Sequence, residues 1–317
     1  MAFASTSDAK LYIAEQASFG SSPGSGYQYI RYTGESIAFA AETATSEEIS
    51  TSRGISDVIR TAGGSSGDIE FELSYDAVTD MFLEGALQDN SFAGGDQVLQ
   101  NGSTQTYYTI EKEFVGTATD YFLMKDAAVS TFAINIEQGA IITGTVGLLG
   151  STLVSDDDSV TGSAITAAGS NAVMSAVDTE TVIKLTAVDT TSWGGISAQT
   201  NVQSASFLID NTLREQRRIG TSALAGIGAG RFNVTGTLVL YFESNDEYAN
   251  FMSETARSLY IECKQGAVGY VFEFPKIKYT TAEVLAGGID EDVLVSFEWQ
   301  GLESATNKTM KVTRDTS

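Results

Sequence analysis

The chain of 317 residues is long enough for two domains of ordinary size, and its 42% content of hydrophobic residues is typical of a folded protein rather than a disordered one. Its 41 acidic and 18 basic residues give a net charge of −23, which argues against specific binding of nucleic acid, because such binding uses clustered Lys and Arg. The chain has no histidine, which excludes Ser–His–Asp and Cys–His catalysis and the usual imidazole metal sites.

Membrane insertion and secretion are not expected from this sequence. No apolar run reaches the ~18–20 residues that span a bilayer, and the N-terminal residues lack the basic and apolar regions of a secretory signal. The single cysteine, Cys263, has no partner for an internal disulfide. These features predict a protein that folds in a cytoplasm.

Strands dominate the predicted elements in chain order. Four segments alternate apolar and polar residues with a period of two, which is typical of half-buried strands in antiparallel sheets: Ile69–Leu73, Phe132–Ile136, Leu238–Phe242 and Val293–Trp299. Helical periodicity is restricted to Ser74–Leu87 and Glu243–Thr255. We expect Asp76 and Asn245 to be the N-caps of these two helices. The predicted fold class is therefore mainly β.

The two predicted helices belong to an internal repeat. Each follows a strand that begins with glycine, and Gly67, Asp76 and Phe82 match Gly236, Asn245 and Phe251 at one constant offset. Flanking strands also correspond between the two halves. The repeat predicts a duplicated β domain, with residues 1–150 and 151–317 as the two copies. The acidic and Gly/Ser-containing segment 151–169, which includes Asp156–Asp158, is the predicted linker.

Each half also carries a long polar segment between two strands, Glu42–Ser66 and Asn211–Thr235. Both segments exceed the ~12–15 residues above which loops are usually functional or mobile. They combine charges of both signs with a few apolar side chains, a composition typical of protein–protein contacts. A solvated surface hairpin is the alternative. The charged residues assigned to subunit contacts are Glu47, Glu48, Arg53, Asp57, Arg60, Arg214, Arg217, Arg218 and Arg231.

Four other patterns superficially resemble ligand or catalytic sites. Phosphate binding by Arg214, Arg217 and Arg218 is less favoured than pairing with carboxylates of a neighbouring subunit, such as Glu47 or Glu48. Gly226–Gly230 does not fit a dinucleotide loop, and Asp156–Asp158 lacks the spacing of a calcium loop. Glu70 and Glu72 are expected to be solvated residues on the outer face of a strand. No catalytic residue, cofactor or metal is therefore predicted.

Several segments together resemble a known family in their order and spacing. The resemblance is to the phage tail tube proteins, the major tail proteins of long-tailed siphophages, and it covers nearly the whole chain. The segments that carry it are Leu11–Gly20 with Pro23, Ser46–Ile49 with Arg53, Gly67–Leu73, Ile219–Gly220, Gly230–Gly236 and Phe272–Lys276.

This resemblance implies a fold and an assembly. Each half would be a β-sandwich or half-barrel with one short helix and a long loop, and subunits would close into rings that stack into a tube. Because the chain is duplicated, three subunits would form a pseudo-hexameric ring. The long loops would bridge adjacent rings, and the tube would stand in the tail of a virion assembled in the host cytoplasm.

The resemblance also implies partners and a lumen. The partners would be other copies of the chain, a tail terminator, tail tip or baseplate proteins and a tape measure protein, with DNA passing through without specific binding. Acidic side chains would line the lumen and repel DNA phosphates. The candidate lumen residues are Glu111, Glu113, Glu137, Glu262, Glu298 and Glu303.

Three alternatives remain open at this point. A secretion-system or contractile-tail tube shares the ring assembly, but its subunits usually have one domain. A β-sandwich decoration protein or adhesin would stay in small oligomers. A carboxylate-based glycosidase would need a cleft with an acidic residue of raised pKa.

Overall fold

A computed structural model gives the fold of the protein and describes residues 5–49, 51, 53–95, 97–116, 119–156, 159, 165–178, 181–190, 192–304 and 308–316. The protein is mainly β, with strands arranged in large antiparallel sheets, which confirms the predicted fold class. Asp157 and Asp158 of the predicted linker lie outside the described residues.

The elements in the described part of the chain are one short 3-10 turn, Thr6–Asp8, two α-helices and nineteen strands. The helices are α1 (Ala77–Leu87) and α2 (Asp246–Met252). The strands are β1 (Lys10–Gln16), β2 (Gln28–Tyr29), β3 (Gly34–Glu35), β4 (Ala38–Thr45), β5 (Val58–Glu72), β6 (Val98–Gln100), β7 (Tyr107–Val115), β8 (Thr119–Glu137), β9 (Thr143–Gly150), β10 (Thr152–Asp156), β11 (Val182–Ala187), β12 (Val202–Asp210), β13 (Arg214–Gln216), β14 (Gly226–Gly228), β15 (Asn233–Tyr241), β16 (Arg257–Gln265), β17 (Val268–Ala286), β18 (Val293–Gly301) and β19 (Lys311–Asp315).

The same strand pairings occur twice along the chain. In the first half β1 pairs with β7, β7 with β8, β8 with β9, and β9 with β5. In the second half β11 pairs with β16, β16 with β17, β17 with β18, and β18 with β15. The long strands β8 and β17 even carry a bulge at the same place, at Ser130 and Thr280 respectively. The division into two domains at residue 150 stays a prediction.

One strand pairing joins the two halves into a continuous sheet. Residues Thr131–Glu137 of β8 pair antiparallel with Ser204–Asp210 of β12. Aromatic rings follow this junction on the buried side: Phe207 lies 6.5 Å from Phe132 and 5.0 Å from Phe272, centroid to centroid. Because the residues of both halves pack into one hydrophobic cluster, the halves share a core.

The C-terminal strand adds a second link between the halves. β19 pairs with β17 on one side and with β6 of the first half on the other. Arg314 of β19 forms an ion pair of 3.0 Å with Asp80 of α1, and its guanidinium lies 4.2 Å from the centre of the Phe92 ring. This contact fixes α1 between the two halves.

Both predicted helices are present, but their N-termini differ. Asp76 has extended backbone angles, and its carboxylate accepts hydrogen bonds of 2.9 Å from the backbone N–H groups of Val78 and Thr79. Asn245 precedes α2 with φ −91° and ψ 9°, and its side chain makes no capping bond. Asn245 therefore occupies the predicted N-cap position, where its carbonyl oxygen accepts a 2.8 Å hydrogen bond from the Ala249 N–H, but without the extended conformation its side chain does not reach the first turn. Among the described residues, neither helix is long and apolar enough to cross a membrane.

This difference predicts unequal effects of two matched substitutions. Asp76→Ala is expected to lower the free energy of unfolding by about 1 kcal/mol, because it leaves N–H groups of α1 without their acceptor. Asn245→Ala is expected to change it by less than about 0.5 kcal/mol. Urea denaturation of both variants checks the prediction, and equal losses would contradict it.

The two long segments are shorter as loops than the sequence suggested. Thr45 of β4 lies opposite Val58 of β5, so only residues 46–57 of the first segment connect strands. In the second segment, β13 and β14 pair with each other as a separate two-stranded sheet. The pairing satisfies backbone N–H and C=O groups that a long unstructured loop would leave to water.

Candidate functional site

The main sheet has one face in the core and one face open to solvent. On residues 68–72 of β5, on residues 131–137 of β8 and on strands β12, β15 and β18, the buried residues alternate with residues that point away from the core. We call the outward-pointing set, together with its neighbours on β9 and with Thr281, Glu283 and Leu285 of β17, the open face. Near Gly236 this face forms a shallow trough of about 450 Å³ that crosses the junction of the two halves.

The charges on the open face are all of one sign. Its acidic residues are Asp68, Glu70, Glu72, Glu137, Asp210, Glu283 and Glu298, and its described positions include no Lys or Arg. Most other positions carry small side chains, among them Thr131, Thr145, Ser206 and Thr237. The open face is therefore a smooth acidic surface that spans both halves.

The six acids predicted to face a lumen lie in different environments. Glu137 and Glu298 are exposed on the open face, where the Thr281 hydroxyl donates a 2.6 Å hydrogen bond to the carboxylate of Glu298. Glu303 is exposed beyond the end of β18. Glu111, Glu113 and Glu262 lie on β7 and β16, which do not contribute to the open face.

These three acids on β7 and β16 have partners within the chain. Glu111 is 1% exposed and accepts a 2.8 Å hydrogen bond from Ser159. Partial burial opposes ionisation of Glu113, but hydrogen bonds from Tyr12 (2.6 Å) and Lys10 (2.9 Å) outweigh it and lower the pKa of this carboxyl. Glu262 accepts a 2.8 Å hydrogen bond from Tyr260.

Five acids of the open face were not among the predicted lumen residues: Asp68, Glu70, Glu72, Asp210 and Glu283. The signal that identifies them is the alternation itself. Glu70 and Glu72 flank the buried Phe71, and Glu70 follows the buried Ile69, so strand periodicity places both acids on the outer face. Only the sheet pairing shows that acids from both halves share that face.

The first group of predicted contact residues lies on the β4–β5 hairpin, which we define as residues 42–60. Glu47, Glu48, Arg53, Asp57 and Arg60 are all exposed there. Exposed apolar side chains accompany them: Ile49 is 100% and Ile55 73% exposed. An exposed apolar group inside a charged rim is typical of a protein–protein contact.

The second group lies on the segment that we call the second loop, residues 211–232. Arg214, Arg218 and Arg231 are exposed, and Arg214 donates a hydrogen bond to the carbonyl oxygen of Ala229. Arg217 pairs with Glu42 of the same chain at 3.1 Å and with Glu215 at 2.5 Å. The structure therefore shows an intrachain carboxylate partner for Arg217, whereas Glu47 and Glu48 have no ion pair among the described residues.

The second loop packs on the first half of its own chain. Its buried residues Leu224 and Ile227 contact Ala128 and the partly buried Tyr107 and Leu149. The carbonyl oxygen of Ser222 accepts a hydrogen bond of 2.7 Å from the N–H of Gly63. The hairpin contacts the second half at its base, through the ion pair of Glu42 with Arg217.

Side chains suited to chemistry are sparse in this fold. Among the described residues, no group of three or more Cys, Asp or Glu side chains could hold a metal ion. Cys263 is fully buried, and burial raises the pKa of its thiol well above the ordinary value. Burial likewise raises the pKa of Glu84 to about 7, but this carboxyl accepts a hydrogen bond from the Ala93 N–H and braces the turn after α1.

Similarity to known proteins extends over nearly the whole chain. The sequence profile of a family described as "Phage tail tube protein" matches residues 6–301. No curated protein matches the chain. Among solved structures, the chain is similar to a protein in the cryo-EM structure of the anti-feeding prophage baseplate, at 8% identity and a TM-score of 0.33. That similarity covers 47% of this chain and 91% of the other.

Proposed function

The chain belongs to the phage tail tube protein family, and from this premise we propose that its rings stack into a hollow tube with an acidic lumen that conducts DNA during ejection. As a member of this family the chain is a structural component of the virion tail. The family is a structural one, which favours a tube subunit over a glycosidase or an adhesin.

The observation that carries the proposal is the open face. It is concave at the junction of the two halves, and the charged groups at its described positions are all acidic. Fixed carboxylates repel phosphates, and small Ser and Thr side chains offer little surface for adsorption. A tube lined by this face would let DNA slide through without binding.

The repeated strand pairings support a ring of three chains. Six equivalent halves would then surround the lumen, two from each chain, and closed rings would meet head to tail in the tube. The exposed apolar residues of the hairpin, Ile49 and Ile55, would contact the adjacent ring. The expected further partners are a tail terminator, tail tip or baseplate proteins and the tape measure protein, with assembly in the host cytoplasm.

Electron microscopy of the concentrated, purified chain tests this proposal. Hollow rings or tubes of uniform width are expected, and class averages of the rings would give their symmetry. Folded monomers at every concentration tested would count against the proposal.

Reversing charge on the open face is expected to make assembled tubes retain DNA. We predict that the triple variant Glu70→Lys, Glu137→Lys and Glu298→Lys retains about tenfold more short duplex DNA than the unmodified tube at low salt, because each lysine pairs with a phosphate and releases counterions. Co-sedimentation of labelled DNA with tubes measures this, and the effect should fall as salt rises.

The matched control has the same change in net charge away from the open face. Asp8, Glu15 and Asp120 are exposed and lie outside it, so Asp8→Lys, Glu15→Lys and Asp120→Lys together form that control. Equal DNA retention by the two triple variants would show that the open face does not line the lumen.

A further inference from the structure

The two strand edges that pair at the junction between the halves each have a repeat equivalent elsewhere in the chain. In the described part of the chain these equivalent edges are unpaired. Inside the chain, β8 of the first half pairs with β12 of the second. The repeat makes β17 the equivalent of β8, and it makes β3 and β4 the equivalents of β12. In the described part of the chain, residues 281–286 of β17 pair only with β18, and β3 and β4 pair only with β5.

The free edge of β17 exposes apolar residues where β8 buries them. In β8, Ile134 and Ile136 are 1% and 5% exposed because β12 and its half of the core cover them. At the equivalent positions of β17, Val284 is 41% exposed and Ala286 is also exposed. A free edge with apolar side chains is a template for another strand, which proteins normally cover or block.

The two helices show the same contrast. Most of α1 is buried, and the second half of the chain supplies part of its cover, since the Tyr270 hydroxyl donates a 2.8 Å hydrogen bond to Asp80. None of the residues of α2 is buried, and Met252 is 68% exposed. If the first half of a neighbouring subunit packed on the second half of this chain in the way that the two halves pack within the chain, it would cover α2 as well.

We propose that the free edge of β17 pairs antiparallel with β3 and β4 of the next subunit, in a second copy of the junction between β8 and β12. The partner is another copy of this chain, and the inference rests on the proposed function because it supplies the contact that closes the ring. Residues 281–287 would pair with residues 34–40 of the next subunit.

The internal pairings fix the register of this contact. Leu208 lies opposite Thr235, and Ala38 lies opposite Ser66, which is the repeat equivalent of Thr235, so Ala38 corresponds to Leu208. Counting from the two bulges, Glu283 corresponds to Ala133. Because Leu208 pairs with Ala133, Ala38 is expected to lie opposite Glu283.

The side chains of the two edges fit this register. On the core side, Ile37 would lie opposite Val284, which puts two apolar residues together. Phe39 would lie opposite the small Ala282, whereas the internal junction has Ile209 opposite the large Phe132. In the proposed contact the larger residue lies on the β4 strand, whereas in the internal junction the larger residue lies on β8. Both contacts combine a large residue with a smaller one.

Engineered disulfides test the register. Residues directly opposite on antiparallel strands have Cα atoms ~4.5–5.5 Å apart, within the range that a disulfide spans, and diagonal neighbours are too far apart at ~7–8 Å. The double variant Ala38→Cys with Glu283→Cys is expected to cross-link on mild oxidation of assembled rings, with three chains as the largest species on a non-reducing gel. A mixture of the two single variants should give dimers only.

Controls make each outcome decisive. Ala38→Cys with Leu285→Cys is shifted by two residues on the same face and should cross-link at least about tenfold less, and the buried Cys263 should stay unmodified. If rings or tubes form and the shifted pair cross-links equally or better, or neither pair cross-links, the inference is wrong and the proposed function stands. If electron microscopy shows no rings or tubes of the unmodified chain, the proposed function fails and the inference fails with it.

Discussion

Val284→Asp is expected to leave the chain folded and to abolish ring formation. Val284 is 41% exposed in the single chain, so a carboxylate there keeps most of its hydration. In the proposed contact the same position would be as buried as Ile134, which is 1% exposed. Burying an unpaired charge costs several kcal/mol at every contact of the ring, enough to prevent closure.

Three measurements check this result together. Circular dichroism and urea denaturation should show a folded chain of nearly unchanged stability, and light scattering with electron microscopy should show monomers only. The matched control is Val188→Asp, because Val188 is 39% exposed and lies outside both proposed edges. Rings of normal appearance from Val284→Asp, or loss of rings in both variants, would contradict the proposed contact.

Phe207→Ala is expected to lower the free energy of unfolding by about 3–5 kcal/mol, the usual cost of removing a buried aromatic ring. Phe207 is 2% exposed on β12, where the two halves meet. Its ring lies 5.0 Å from Phe272, 5.4 Å from Phe274 and 6.5 Å from Phe132, centroid to centroid. The cavity would therefore open in the part of the core that holds the halves together.

The neighbouring residue provides the control. Leu208 follows Phe207 on the same strand but points to the open face and is 40% exposed. Leu208→Ala is expected to cost less than about 1 kcal/mol, since it removes little buried surface. Urea denaturation curves of the two variants give the comparison. Similar losses in both would mean that the shared core is not the main support of the junction.

Local patterns in the sequence predicted the secondary structure well. The alternation in Phe132–Ile136 and Val293–Trp299 reports which side of a strand meets the core, and the structure places both segments in strands. Asp76 was predicted as an N-cap because Asp is short, polar and placed before a helical pattern. Asn245 has similar chemistry but a different backbone conformation, which depends on how the preceding strand ends.

Strand periodicity was less informative about individual acids. Glu111 follows the buried Ile110 on β7 and was a candidate lumen residue. Its face of β7 is covered, however, by a second cluster that contains Tyr12, Ala14 and Tyr27 and by the hydrogen bond from Ser159. Periodicity distinguishes the two sides of a strand, but it does not reveal whether another layer covers the outer side.

By itself the sequence determined the mainly β class, the two helices, the internal repeat and the resemblance to tail tube proteins, because each of these is recorded in short-range spacing or in residue order. Tertiary structure alone decided that β8 pairs with β12, that both halves share one core, and that acids from β5, β8, β12, β17 and β18 share one face. Strand pairing joins residues far apart in the chain, and the free energy of that pairing depends on the whole sheet and leaves no local pattern.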